Sequence, residues 1–115
     1  MILSFKKQFV QPILDGTKVH TIREDKGNRW TVGKKIHFAT GVRTKNYEQF
    51  MEGECIGLQK IRITNEGIYV SERRLNYIEA KQLAFRDGFD YLSEFLKFFD
   101  RPFDGIIIHW TDFLY

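Results

Sequence analysis

Apolar and polar positions along this chain fall into short blocks, each closed by glycine, proline or a polar turn. "ILSF" (2–5) is a brief apolar run that reads as a first strand. In "KKQFVQPILDG" (6–16), Phe9, Val10, Ile13 and Leu14 keep helical spacing. Pro12 fits only a first turn, so this helix is expected to be short or kinked. Gly16 is a natural stop because glycine readily takes positive φ. "KVHTIRE" (18–24) alternates and carries β-branched residues, the pattern of a strand. "EDKGNRW" (24–30) is a polar turn. "TVGKKIHFAT" (31–40) turns at Gly33 and runs on as a strand with Ile36 and Phe38 on one face.

Residues 41–52 read as a polar connection around Tyr47 and Phe50. In "ECIGLQKIRIT" (54–64), Ile56 and Leu58 occupy even positions but Ile61 and Ile63 odd ones, which predicts a bulge near Gln59. "NEG" (65–67) predicts a hairpin turn and "IYVSE" (68–72) its return strand. "LNYIEAKQLAFRDG" (75–88) reads as a helix with Ile78, Leu83 and Phe85 as its apolar positions. "DYLSEFLKFFD" (90–100) reads as another, capped by Asp90, with Leu92, Phe95, Leu96 and Phe99 inward. Pro102 ends it, and "DGIIIHWTDF" (104–113) holds a final buried strand. The sum is one α+β domain over residues 1–115, with about five or six strands and about three helices, whose sheet can close into a small β-barrel.

Composition narrows the class. Apolar residues make up 43% of 115, and phenylalanine alone supplies 11. That suffices for a real core and does not match a disordered chain. The single cysteine, Cys55, allows no internal disulfide and argues against a stapled secreted scaffold. "MILSFKKQF" turns charged too soon for a signal peptide, and runs such as "GIIIHW" are too short to cross a bilayer. A soluble, cytoplasmic protein with no membrane partner is expected.

Net charge is +3, but it is unevenly placed. Residues 1–45 carry ten Lys/Arg against three Asp/Glu, and residues 46–115 carry eight against twelve. One basic face that attracts phosphates follows if the halves stay apart, with Arg29, Lys34, Lys35, Arg43 and Lys45 tracking a nucleic-acid backbone. Ordinary solvated charge follows if the fold interleaves them.

Neither common glycine-rich phosphate loop is present. His20, His37 and His109 lack metal-ligand spacing, so no metal or cofactor is expected. Cys55 reads as a small buried hydrophobe, and His109 as a satisfied core histidine.

"GTKVHTIR" (16–23) carries the candidate chemistry. Alternation puts Val19, Thr21 and Arg23 on one face. Lys18 belongs to the other face in an ideal strand, yet it follows a glycine turn and can reach the same end of the sheet as Thr21. A threonine hydroxyl is a weak nucleophile that needs a base. A desolvated lysine can serve as one, with a third, acidic group moving the proton onward.

"ILDGTKVHTIR" followed by "WTVGKKIHF" strongly resembles the ASCH family. Its hallmark, Gly-x-Lys-x-x-Thr-x-Arg, is matched by Gly16, Lys18, Thr21 and Arg23. "VGKKIHF" resembles the family's Gly-Asp-x-Ile/Val-x-Phe strand, with Lys34 where an acidic residue is common. "LAFRDGFDYLSEFLKFF" resembles its Asp-Gly-Phe segment and following helix, and "GIIIHW" its last strand.

The resemblance implies a PUA-like barrel and RNA binding in a cleft lined by the motif. It also implies a possible enzyme, since small bacterial members are amidohydrolases of N4-acetylcytidine. Carried over, Lys18 is the base, Thr21 the nucleophile, and Asp87 of "RDGF" stands where a glutamate assists proton transfer, one methylene shorter. Arg23, with Gly16 and Trp30, would contact the ligand. Arg23 suits a phosphate or base carbonyl, because its donors form a planar fork. Trp30 would stack on a base, or else pack on the barrel wall. A third class of reading is a protein-interaction adaptor, with an exposed apolar patch around Tyr47, Phe50 and Met51.

Overall fold

The computed structural model describes residues 1–115. Eight strands form two sheets, joined by short helices. β1 (Ile2–Ser4) lies parallel to β3 (Lys35–Thr40), and β3 pairs antiparallel with β4 (Glu48–Glu54). The second sheet has the order β2 (His20–Arg23), β8 (Phe103–His109), β5 (Gly57–Ile63), β6 (Ile68–Val70), β7 (Arg73–Arg74), all antiparallel. The chain passes between the sheets at Cys55–Ile56. Cys55 N–H bonds the Lys34 carbonyl just before β3 of the first, and Ile56 N–H the His109 carbonyl of the second. Neither sheet closes on itself, so the shape is α+β rather than a complete barrel.

The count of eight exceeds the expected five or six for two reasons. The polar stretch 41–52 is not all connection: a turn over 41–47 gives way to β4, an edge strand whose side chains are mostly exposed. β7 is only two residues long. No bulge lies at Gln59. β5 pairs with β8 in unbroken register, Ile56 falls outside the strand, and Gly57, Ile61 and Ile63 share the buried face. The one shift in register sits between Phe38 and Ala39.

α1 (Val10–Leu14) has five residues, as Pro12 requires, and Gly16 beyond it takes φ +85°. α2 (Tyr77–Arg86) is started by a capping box, in which the Asn76 side chain accepts from Glu79 N–H and the Glu79 carboxylate from Asn76 N–H. Its inward residues are Ala80, Leu83 and Ala84; Ile78 and Phe85 face out. Ala80 and Ala84 flank Leu83 on the inward face, in place of the expected Ile78 and Phe85. α3 (Leu92–Phe98) buries Phe95, with Leu92, Leu96 and Phe99 packed around the core. Tyr91 rather than Asp90 holds its N-cap position, and no side chain caps it. The Tyr91 carbonyl accepts instead from Glu94 and Phe95 N–H.

The core is one cluster of 21 buried residues. Phenylalanine dominates it: Phe38 meets Trp110 edge-on at 4.8 Å, and Phe9, Phe89 and Phe95 form a chain of edge-to-face contacts. No helix is long and apolar enough to cross a membrane.

Candidate functional site: a buried polar cluster where strand β2 meets helix α2

The end of α2 is tied to the start of β2 by a bond from Val19 N–H to the Arg86 carbonyl, 2.9 Å. Asp87 follows α2, and Gly88 takes φ +97°. A Cβ on Gly88 would lie 2.8 Å from the Phe9 ring and 3.0 Å from Lys18 Cδ. Glycine is therefore required twice over, for its backbone angle and for the space the lysine stem fills. On the other side, Lys18 N–H bonds the Pro12 carbonyl at 2.9 Å, which fixes the turn after Gly16.

Lys18 and Asp87 meet in this corner, 2% and 3% exposed. The ammonium donates to the Asp87 carbonyl at 2.5 Å and to its Oδ1 at 3.2 Å. The Phe9 and Phe5 rings lie 4.9 and 5.8 Å from Nζ. His20 Nδ1 reaches the same Asp87 Oδ1 at 3.1 Å, and its Nε2 meets the Tyr115 hydroxyl at 2.6 Å. Arg23, half-buried, lies over Phe5 with its Cζ 5.0 Å from the ring centre. Its Nε donates to Thr21 Oγ1 at 3.2 Å and its Nη2 to the Ser4 carbonyl at 2.6 Å.

Burial lowers the pKa of Lys18 against the pull of Asp87, and lowers that of His20 for the same reason. Burial also lowers Arg23, and it raises the Tyr115 phenol.

The structure thus gathers Lys18, Thr21, Arg23 and Asp87 around Phe5 and Phe9, although Asp87 is 69 residues from Lys18. Lys18 does not extend into solvent. It nonetheless makes no hydrogen bond to Thr21: the hydroxyl belongs to Arg23, the ammonium to Asp87. Gly16 stands in open space, so its role is conformational. Trp30 is 8% exposed within the core, which leaves almost no ring face for a base and matches packing on the wall.

The five basic candidates do not gather into one patch. Lys34 turns back onto the Arg29 carbonyl, and Lys35 pairs with Glu52 at 3.4 Å on the neighbouring strand. Arg43 and Lys45 lie in the turn past the far end of β3. At about 3.3 Å per residue, β3 separates the two groups by on the order of 20 Å. Interleaving with the acidic strand β4 is what dilutes the field. The patch around Tyr47, Phe50 and Met51 is not open either, since Phe50 and Met51 pack against the core.

Cys55 is buried, and burial raises its thiol pKa. His109 is only half satisfied. Its Nε2 meets Gln59 Oε1 at 3.1 Å, while Nδ1 is buried without a partner. No group of three or more His, Cys, Asp or Glu side chains is placed to hold a metal.

His20, Tyr115, Gln59 and Phe5 also belong to this corner, beyond the residues the sequence pattern predicts. His20 had a signal, because it shares strand parity with Lys18 and so follows it to Asp87. Tyr115 and Gln59 had none, since only the folded chain brings them near.

No family model, no curated protein and no solved structure matches the chain.

Proposed function

We propose that this chain is an ASCH-type domain, with the PUA-like arrangement of that family, that binds RNA or a nucleotide-like ligand beside the Gly-x-Lys-x-x-Thr-x-Arg segment. The observation that carries the reading is the charge balance of the cluster. Lys18 and Arg23 face one carboxylate, Asp87, which is bonded to Lys18. Arg23 forms no salt bridge, and its only partners are a hydroxyl and a carbonyl. A half-buried guanidinium without a counter-charge favours an incoming anion. Burial of Lys18 and Asp87 favours a single nucleotide or an unstacked base at the half-buried Arg23 over an extended backbone.

Calorimetric titration with cytidine 5′-monophosphate, cytidine and a short single-stranded RNA tests this. The phosphate-bearing ligands are expected to bind more tightly than cytidine. Arg23→Lys, which keeps the charge but loses the fork, is expected to weaken them about tenfold, the loss of one charge-assisted hydrogen bond. No binding by the wild type at low salt would overturn the reading.

A second reading, hydrolysis of an acylated cytidine, is favoured by the buried lysine with its lowered pKa. In that reaction Thr21 Oγ attacks the amide carbonyl and Lys18 takes the hydroxyl proton. Arg23 faces the oxyanion, and Asp87 passes the proton to the leaving amine. Water then cleaves the acyl-threonine ester and releases the carboxylic acid. Lys18 must first turn from Asp87 towards the hydroxyl. Incubation with N4-acetylcytidine, read by chromatography, tests it: Thr21→Val keeps the β-branched shape and is expected to abolish cytidine release. Retained release would remove Thr21 as nucleophile.

A further inference from the structure

Asp87 receives two donors on one oxygen. Lys18 Nζ and His20 Nδ1 both address Oδ1, at 3.2 and 3.1 Å. Oδ2 takes part in no hydrogen bond and is not among the fully enclosed unpartnered atoms, so the little exposure the Asp87 side chain keeps, 4%, includes this oxygen. We propose that His20 and Tyr115 are positioning residues of the site: the Tyr115 hydroxyl, the His20 imidazole and the Asp87 carboxylate form a buried hydrogen-bonded line that holds Oδ1 inward and leaves Oδ2 to meet the ligand.

The line has a direction. A carboxylate oxygen only accepts, so His20 Nδ1 carries a proton. A neutral imidazole then has its lone pair at Nε2, where it accepts from the Tyr115 hydroxyl at 2.6 Å. The charged and titratable groups facing His20 are Asp87, Lys18, Arg86, His109 and Tyr115. Two cations and a second imidazole oppose a further proton on His20, and the ring has no exposed surface.

Tyr115 is itself held. Its N–H donates to Gln59 Oε1 at 2.9 Å, and Gln59 Nε2 donates to its carbonyl at 2.9 Å. Gln59 Oε1 is therefore an acceptor, and His109 Nε2, 3.1 Å away, must donate to it. His109 is the register partner of His20 on the adjacent strand, with ring centres 5.3 Å apart. The two imidazoles thus carry opposite tautomers: His20 holds its proton on Nδ1, His109 on Nε2. A side-chain relay of this kind fixes ring orientation as an outer carboxylate does for a metal-bound histidine.

The role as ligand-facing support rests on the nucleotide reading; the geometry is tested without any ligand. Long-range ¹⁵N–¹H correlation on the labelled full chain at pH 7 resolves the three histidines, with His20→Asn and His109→Gln for assignment. The expected result is neutral His20 protonated on Nδ1 and neutral His109 protonated on Nε2. His20 protonated on Nε2, or doubly protonated, would overturn the proposal. Tyr115→Phe keeps the ring and removes the hydroxyl, and it is expected to shift the Asp87 ¹³Cγ resonance; an unmoved resonance would also overturn it.

Titration with cytidine 5′-monophosphate adds the functional arm. Tyr115→Phe and His20→Leu are expected to lose about tenfold in affinity. His20→Asn, whose amide nitrogen stands near the place of Nδ1, is expected to stay within about threefold of wild type. Wild-type affinity in Tyr115→Phe would sink the positioning role. If the wild type itself fails to bind, the nucleotide reading and with it the ligand-facing role fall, while the tautomers and the Asp87 resonance still decide the line.

Discussion

Two regions of the second sheet treat charge in opposite ways. The corner between β2 and α2 buries Lys18, His20 and Asp87 and joins them through Oδ1. Elsewhere on the same sheet, an open hollow of about 890 Å³ is lined by Lys60, Arg62, Tyr69, Glu72 and Asp104 among others. Its shortest ion pair, Arg62 with Asp104 at 2.9 Å, leaves the two side chains 64% and 69% exposed. None of Lys18, Thr21, Arg23 or Asp87 lines this open space. The open volume and the buried polar cluster lie in different places. Water screens the charges of the hollow and makes their arrangement cheap to change. In the corner each charge has lost its water, so each depends on its neighbour.

The sharpest way to break this contrast is Asp87→Ala. It leaves the Lys18 ammonium without its carboxylate and His20 Nδ1 without an acceptor, in a place water barely reaches. Removing one partner of a buried pair costs about 3–5 kcal/mol, so the urea midpoint is expected to fall steeply or the chain to fail to fold. A loss below about 1 kcal/mol would mean the corner is hydrated and differs little from the hollow.

Acid separates the two regions next. Burial and the neighbouring His20 press the His109 pKa down from 6.5 to about 4. The unfolded chain therefore takes up a proton near pH 6.5 that the folded chain refuses until about pH 4. The stability involved is fully present above pH 6.5 and is lost as pH falls towards 4. For His109 the loss amounts to at most about 3 kcal/mol, and His20, also depressed, adds in the same direction. His109→Gln keeps a donor near Nε2 and removes the titration, so it is expected to flatten the stability profile between pH 6.5 and 4. The hollow contains no histidine. An unchanged slope in His109→Gln would assign the acid sensitivity to groups outside the corner.

How much of this was legible in the sequence depends on the range of the cause. Local rules worked for the short α1 with its Pro12, the Gly16 stop, the "NEG" hairpin turn and the last strand, because each is set by a few adjacent residues. They failed where tertiary packing decides. The even-to-odd shift after Ile56 looked like a bulge, but Ile56 simply lies outside β5. β4 was hidden because an edge strand needs no apolar alternation. The inward face of α2 runs through Ala80 and Ala84 in place of Ile78 and Phe85. At the candidate site, one short segment carries Lys18, Thr21 and Arg23, the family resemblance alone adds Asp87, and the four come together around Phe5 and Phe9. Within the cluster the hydrogen bonds divide by strand parity, with Lys18 and His20 on Asp87 and Thr21 with Arg23. What no local pattern announces is the far wall, where Gln59 and Tyr115 bond each other across 56 residues.

The smallest effect is expected in the hollow, and it is informative because the geometry there looks as good as in the corner. Arg62 Nε donates to Asp104 Oδ1 at 2.9 Å, shorter than the 3.2 Å contact of Lys18 with Asp87 Oδ1. By distance alone, Arg62 would matter more. Its pKa is raised by the bond to Asp104, but water surrounds both groups. Exposed pairs of this kind contribute little, because Coulomb attraction is weak in water and two long side chains must be held still. Arg62→Ala is therefore expected to leave the urea midpoint nearly unchanged, and high salt should erase much of the difference that remains. The same salt should leave the cost of Asp87→Ala almost untouched. Equal salt sensitivity in both variants would show that burial is not what sets the two regions apart.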